Sequence, residues 1–245
     1  MSGKIGVLRL TIITVAGLFS LPGHAAFFAN ETDWAGWSEM CRARYTVSGS
    51  GRDSEFVSRV PPGVVKEWES RMGPGAWYAL HHYCYGVADL ARSKAERDPA
   101  KSAFRLHEAT EEFLFMLNRT PKEHPMYAET SIQLGLTNLA QKDREGALRN
   151  FDRAIATHPE MPGAYQGKAL LYRDLKQYTE ARDVLLAGDK ATEGKSADIQ
   201  YFLGLALIDL KDYEGARERA IKAYELGYPL TGLRDKLARA GYPLP

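Results

Sequence analysis

Along most of this chain the apolar side chains recur every three or four residues, in helix-length runs separated by short polar turns. In the C-terminal two-thirds the spacing predicts helices over 127–141, 144–157, 163–175, 178–187, 197–210 and 213–226. Lys142-Asp143 and Lys211-Asp212 are turns short enough to make antiparallel neighbours of the helices they join. Upstream, Trp34, Trp37, Cys41 and Tyr45 fall on one face of a single predicted helix with Asp33 as its cap. The Gly- and Ser-rich segment 47–53 reads as a loop. Pro61-Pro62-Gly63 opens a helix over 64–72, and Gly73-Pro74-Gly75 stops it. A longer helix over 76–97 follows, with Trp77, Leu80, Cys84, Val87 and Ala91 as its buried stripe. Asp98-Pro99 starts another, which Pro121 and Pro125 end. A last short helix over 231–240 stops at Gly241. No segment alternates as a strand does, so the expected fold is all-α.

The same residues also repeat at longer range. Gly135, Ala169 and Gly204 are small positions separated by 34 and 35 residues. Twelve residues after each comes an alanine (Ala147, Ala181, Ala216), and four further on stand Phe151, Leu185 and Ala220. Self-similarity at this period marks an α-solenoid of antiparallel helix pairs, in which each pair buries its apolar face only by stacking on the next.

This pattern resembles the tetratricopeptide repeat. Its signature is read in Ser131, Leu134, Gly135, Asn138, Ala147, Phe151, Ala154 and Pro159, then in Tyr165, Lys168, Ala169, Tyr172, Ala181, Leu185 and Gly188. A third copy runs Gln200, Leu203, Gly204, Leu207, Ala216, Ala220 and Ala223, closed by Pro229. Ser131, Asn138, Lys168 and Gln200 depart from the pattern. An irregular copy precedes these, with Tyr85-Gly86, Ala109, Phe113 and Pro121. Its Gly86-to-Ala109 distance is 23 residues where the regular copies use 12. The implied organisation is a leader (1–25), an N-terminal helical extension (26–75), an irregular unit (76–127), three repeats (128–161, 162–196, 197–230) and a capping helix (231–245). The Gly-Tyr-Pro-Leu sequence occurs twice around that cap, at 227–230 and 241–244. Met40 to Arg44, with His81-His82-Tyr83-Cys84, is similar to the N-terminal module of small exported bacterial repeat proteins.

The resemblance implies a binding module that takes a protein or peptide on the concave face lined by the first helix of each pair. Carried over by position, that face holds Glu129, Ile132, Leu136 and Leu139, then Gln166, Leu170, Arg173 and Asp174, then Tyr201, Leu205, Ile208 and Asp209. Leu136, Leu170, Tyr201 and Leu205 are the expected apolar anchors, with Arg173 setting register. The lysine–asparagine clamp for C-terminal carboxylates is missing, because Ile132, Leu136 and Leu170 stand in its place. An open leucine-lined groove suits an extended peptide or an amphipathic helix. The alternative is a groove covered by the chain's own N-terminal helices.

Composition adds little to this, and the ends of the chain add more. Lys and Arg total 32 against 31 Asp and Glu, a formal charge of +1 that points to neither nucleic acid nor an acidic membrane surface. Lys4 and Arg9, the apolar run 10–21 and the small-residue exit Gly23-His24-Ala25 have the layout of a cleaved secretory leader, with an uncleaved anchor as the alternative. That layout implies a periplasmic or secreted protein. No later segment reads as a membrane span. In an exported chain, the two cysteines, Cys41 and Cys84, are expected to form a disulfide.

Other chemistry is weaker. His81, His82 and Cys84 lie within one helical turn and could begin a metal site or a thiol centre, with His107 as a further candidate. His107-Glu108 has Glu111 where a metalloprotease helix needs its second histidine. Asn30 and Asn118 stand in glycosylation sequons, which matter only in a eukaryotic secretory pathway. The expectation is a non-enzymatic scaffold with no cofactor, no metal and no nucleic acid. The rival readings are a metal-binding or enzymatic protein using His81, His82 and Cys84, and a self-associating structural protein.

Overall fold

A computed structural model describes residues 27–245; the expected leader (1–25) lies outside the described residues. Among them are eleven α-helices and no strand. In chain order they are α1 (Glu31–Gly36), α2 (Glu39–Tyr45), α3 (Pro62–Ala95), α4 (Pro99–Leu117), α5 (Pro125–Ala140) and α6 (Arg144–Thr157). Then follow α7 (Pro162–Asp174), α8 (Tyr178–Ala191), α9 (Ala197–Asp209), α10 (Tyr213–Glu225) and α11 (Gly232–Arg239). None is long and apolar enough to cross a membrane.

Side chains at the helix starts explain most of these boundaries. Asp143 and Asp212 accept from the backbone N–H groups of Gly146 and Gly215 at 2.9 and 3.0 Å, satisfying donors that a first turn leaves orphaned. Asp98 does the same for α4, with Pro99 in the first turn. Pro125 begins α5 instead of ending α4, because the His124 ring caps that helix by accepting from the Met126 N–H. The single helix expected after Asp33 is in fact two. Asn30 is the cap, Asp33 closes a capping box with it, and the backbone turns extended at Trp37 between α1 and α2. In α3 the break falls at Gly73, whose φ of 70° and ψ of 164° interrupt two helical halves. Glycine adopts that conformation without a Cβ penalty.

The helices pack as the pairs α3/α4, α5/α6, α7/α8 and α9/α10. The first helices also touch their counterparts in turn, from α3 to α5, α7, α9 and α11, while the second helices barely meet one another. The row of first helices is therefore the inner layer. Contact within a pair rests on a small residue facing a large one. A Cβ on Gly135 would lie 2.6 Å from the Phe151 ring, and a Cβ on Gly86 would lie 2.7 Å from the Phe113 ring. The irregular first pair thus repeats the packing of the regular one. In the last pair the large residue is replaced by Ala220, and Leu233 of α11 approaches Gly204 instead, 2.6 Å from a Cβ placed there.

The N-terminal extension packs on α3. Its core stacks Trp34 on Phe56 and sets Tyr45 against Trp37, Phe56 and Tyr85. The indole of Trp37 donates to the Cys84 carbonyl at 2.9 Å, and Arg44 donates to the carbonyls of Trp77 and Tyr78. A disulfide joins Cys41 to Cys84 across a Cα–Cα distance of 5.5 Å.

Candidate functional site

The inner layer presents α5, α7 and α9 side by side, and the helical register decides which side chains it exposes. Leu170 is 42% exposed, the most open large apolar residue on that face. Leu136 is half-buried and packs against the cores of both the first and second pairs. Gln166, Leu139 and Ile208 are half-buried, and Asp174 is exposed. Glu129 accepts from the Tyr83 hydroxyl at 3.0 Å and from the Gln133 amide at 3.1 Å. Burial, and then the Glu129 carboxylate, hold the Tyr83 phenol well above its usual range, so it stays a donor.

Three expected groove residues are occupied by the protein itself. Ile132 is buried under the start of α7, with its Cδ1 3.4 Å from a Cβ placed on Gly163. Tyr201 and Leu205 are only 7% and 8% exposed, in one cluster with Leu233 and Leu237 of α11. Tyr201 also stacks on Tyr228 at 4.0 Å between ring centroids. In this arrangement neither can act as a free anchor. Arg173 is also engaged: its Nε donates to Asp209 of α9 at 2.6 Å, which ties adjacent repeats together. What stays open is a shallow strip centred on Leu170 and edged by Leu136, Asp174 and Ile208. The N-terminal helices pack on α3 and leave this strip uncovered among the described residues.

A deeper feature lies at the N-terminal end. A cavity of about 770 Å³ opens between α1, the last turns of α3 and the start of α4. Val87, Ala91 and Ala95 line one side, and Thr32, Asp33 and Gly36 the other. Sequence periodicity puts Val87 and Ala91 in a buried stripe, but Ala91 is exposed and Val87 half-buried. The difference arises because α1 stands off from this part of α3 and leaves the cavity between them. Arg92 binds Asp33 through Nε at 3.0 Å, with a second, close contact from Nη2, which also donates to the Phe28 carbonyl. Arg105 donates to the buried Asp89 at 2.9 Å. Burial pushes the Asp89 carboxyl up, while the charges of Arg105 and Arg92 oppose that shift. Among the sequence signals, only Val87, Ala91 and Ala95 at i, i+4 and i+8, with Arg92 and Arg97 close by, hint at this cavity.

The histidine candidates take ordinary packing roles. The Cys84 sulfur is bonded to Cys41, so it is no thiolate. Nδ1 of His81 lies 3.1 Å from the Arg44 guanidinium. Burial, and then the charges of His82 and Arg44, lower its pKa to about 3. His82 contacts Glu112 and stacks on Phe115. His107 is exposed on α4. No group of three or more potential metal ligands occurs among the described residues.

Residues 138–195 match the tetratricopeptide repeat family. Among solved structures, MamA from Desulfovibrio magneticus RS-1 (residue 41 to its end) is 23% identical, with a TM-score of 0.48, over 69% of this chain and 84% of that one. TTC0263, a thermophilic TPR protein of Thermus thermophilus, is 18% identical, with a TM-score of 0.46, over 66% of this chain and 92% of its own. No curated protein matches the sequence.

Proposed function

We propose that this chain, a tetratricopeptide-repeat protein, is a non-enzymatic periplasmic scaffold that holds a protein or peptide partner on its inner helix layer. Proteins of this family bind protein partners, which supports the class of function. The observation that carries the reading is Leu170, a large apolar side chain left 42% exposed on the face formed by the first helices. Solvent contact there costs free energy that an apolar side chain of a partner removes. The half-buried Leu136 and Ile208 extend the contact to the neighbouring repeats. Export is supported by the basic, apolar and small-residue layout of residues 4–25 and by the Cys41–Cys84 disulfide, a bond that oxidising compartments favour. Assembly of an envelope complex is the role that fits these features together.

A photoreactive amino acid placed at Leu170, and separately at Leu186, tests the site. Leu186 is 40% exposed but sits on the outer helix α8, so it matches Leu170 in exposure and differs in face. Crosslinking of a discrete partner from position 170 and none from 186 is expected. Equal labelling from both, or labelling from 186 alone, overturns the assignment.

A further inference from the structure

We propose that the cavity between α1 and α3 is the end pocket of the partner groove and that it takes an acidic stretch of the partner chain. The inference rests on the groove reading above and gives the partner a chemistry.

Register places the pocket on the groove. Val87 and Ala91 stand one and five residues past Gly86, as Leu136 and Ala140 do past Gly135, and as Leu170 and Asp174 do past Ala169. These positions share one face of each first helix, and α3 touches α5. The floor of Val87, Ala91 and Ala95 therefore continues the strip centred on Leu170, and α1 closes its end. Small side chains on that floor leave room for an apolar side chain of the partner, and about 770 Å³ lies within the range of ligand cavities.

Hydrogen-bonding capacity around the cavity selects the polar part. Two of its three acids are paired with arginine. Asp33 accepts from Arg92, Asp89 beneath the cavity accepts from Arg105, and Glu96 accepts from the backbone N–H groups of Arg97 and Asp98. Arg92 is occupied by Asp33 and the Phe28 carbonyl. Arg97 is exposed and makes no ion pair among the described residues, and Arg105 commits one Nη to Asp89. The remaining capacity is mainly donor capacity on two guanidinium groups, beside the second carboxylate oxygen of Glu96. An incoming side chain satisfies it with acceptors, and a carboxylate does so with charge-assisted bonds. A lysine there meets like charge.

The test uses the intact protein and three fluorescein-labelled short peptides in which leucine alternates with aspartate, asparagine or lysine. The aspartate peptide is expected to bind about tenfold tighter than the asparagine peptide and to weaken as salt is raised. Ala91→Trp fills the floor at an exposed position and Arg97→Glu reverses the charge at the rim. Each is expected to weaken the aspartate peptide about tenfold while leaving the thermal melt unchanged. Equal binding of the aspartate and asparagine peptides, or binding unaffected by both variants, overturns the proposal. Partner capture lost in Leu170→Glu but intact in Ala91→Trp and Arg97→Glu also overturns it and leaves the groove reading standing. Peptide binding that responds to Ala91 and Arg97 but not to Leu170 overturns the claim that the cavity is the end pocket of that groove.

Discussion

Phe151 fills the space that Gly135 leaves empty: a Cβ on Gly135 would stand 2.6 Å from the ring, well inside contact distance. Gly167, from the next repeat, abuts the same ring, with its Cβ position only 2.3 Å away. One phenylalanine thus joins two helix pairs, and its two glycines let the backbones approach. Gly135→Ala forces the ring to move and is expected to lower stability by about 1–3 kcal/mol. Adding Phe151→Leu should cost less in the Gly135→Ala background than in the wild type, because the clash is shared. Urea unfolding of the four proteins measures this coupling; strictly additive losses contradict the packing described.

The disulfide closes a sequence separation of 43 residues between the N-terminal extension and α3. In the chain-entropy treatment a loop of that size contributes about 4 kcal/mol to stability. Cys41→Ala with Cys84→Ala should therefore lower the urea midpoint strongly and expose the segment before α3 to limited proteolysis. The intact mass of unreduced wild type should be lighter than that of the reduced protein by the mass of two hydrogens. Identical masses contradict the bond.

His81 makes stability fall in acid. Its pKa of about 3 lies below the ordinary 6.5, first because it is buried and then because His82 and Arg44 are positive neighbours. Below pH 6.5 the unfolded chain binds a proton at this site that the folded chain refuses. The contribution to stability is therefore complete above that pH and is lost progressively as the pH falls towards 3. His81→Gln keeps an acceptor for Arg44 and removes the titration. Melting temperature across this window should fall less steeply in the variant than in the wild type. Parallel curves contradict the role given to His81.

Tyr201 and Leu205 pack in one cluster with Leu233 and Leu237 of the C-terminal helix. Tyr201→Ala, which removes the stack on Tyr228, is expected to cost about 3 kcal/mol. Leu205→Glu introduces a charge into a site that is 8% exposed and should destabilise the last repeat at least as much. Chemical denaturation followed by circular dichroism measures both. Unchanged midpoints mean that α11 does not cover these residues in solution.

Much of this fold is legible because its signals are local. Asp143, Asp212 and Asp98-Pro99 mark helix starts through bonds made within one turn, and Gly86 with Phe113 repeats the spacing logic of Gly135 with Phe151. Trp37 misleads because its apolar spacing from Trp34 and Cys41 continues across a backbone break, so periodicity alone joins two helices into one. The groove is half legible. Leu170 lies open as its register implies, whereas Tyr201 and Leu205 are covered by a helix that begins at Gly232. The N-terminal cavity is no more than hinted at in the sequence, because it depends on how α1 sits against α3, which is a tertiary relationship.

The groove claim is tested most directly by comparing Leu170→Glu with Leu186→Glu, two leucines that are 42% and 40% exposed on opposite layers. Both variants should keep the wild-type melt, since neither side chain is part of the core. The measurement is the affinity of each for the partner crosslinked from position 170. Leu170→Glu is expected to weaken it by at least about tenfold, with Leu186→Glu unchanged. Equal affinities for the two variants, or a loss confined to Leu186→Glu, contradict the inner layer as the binding face.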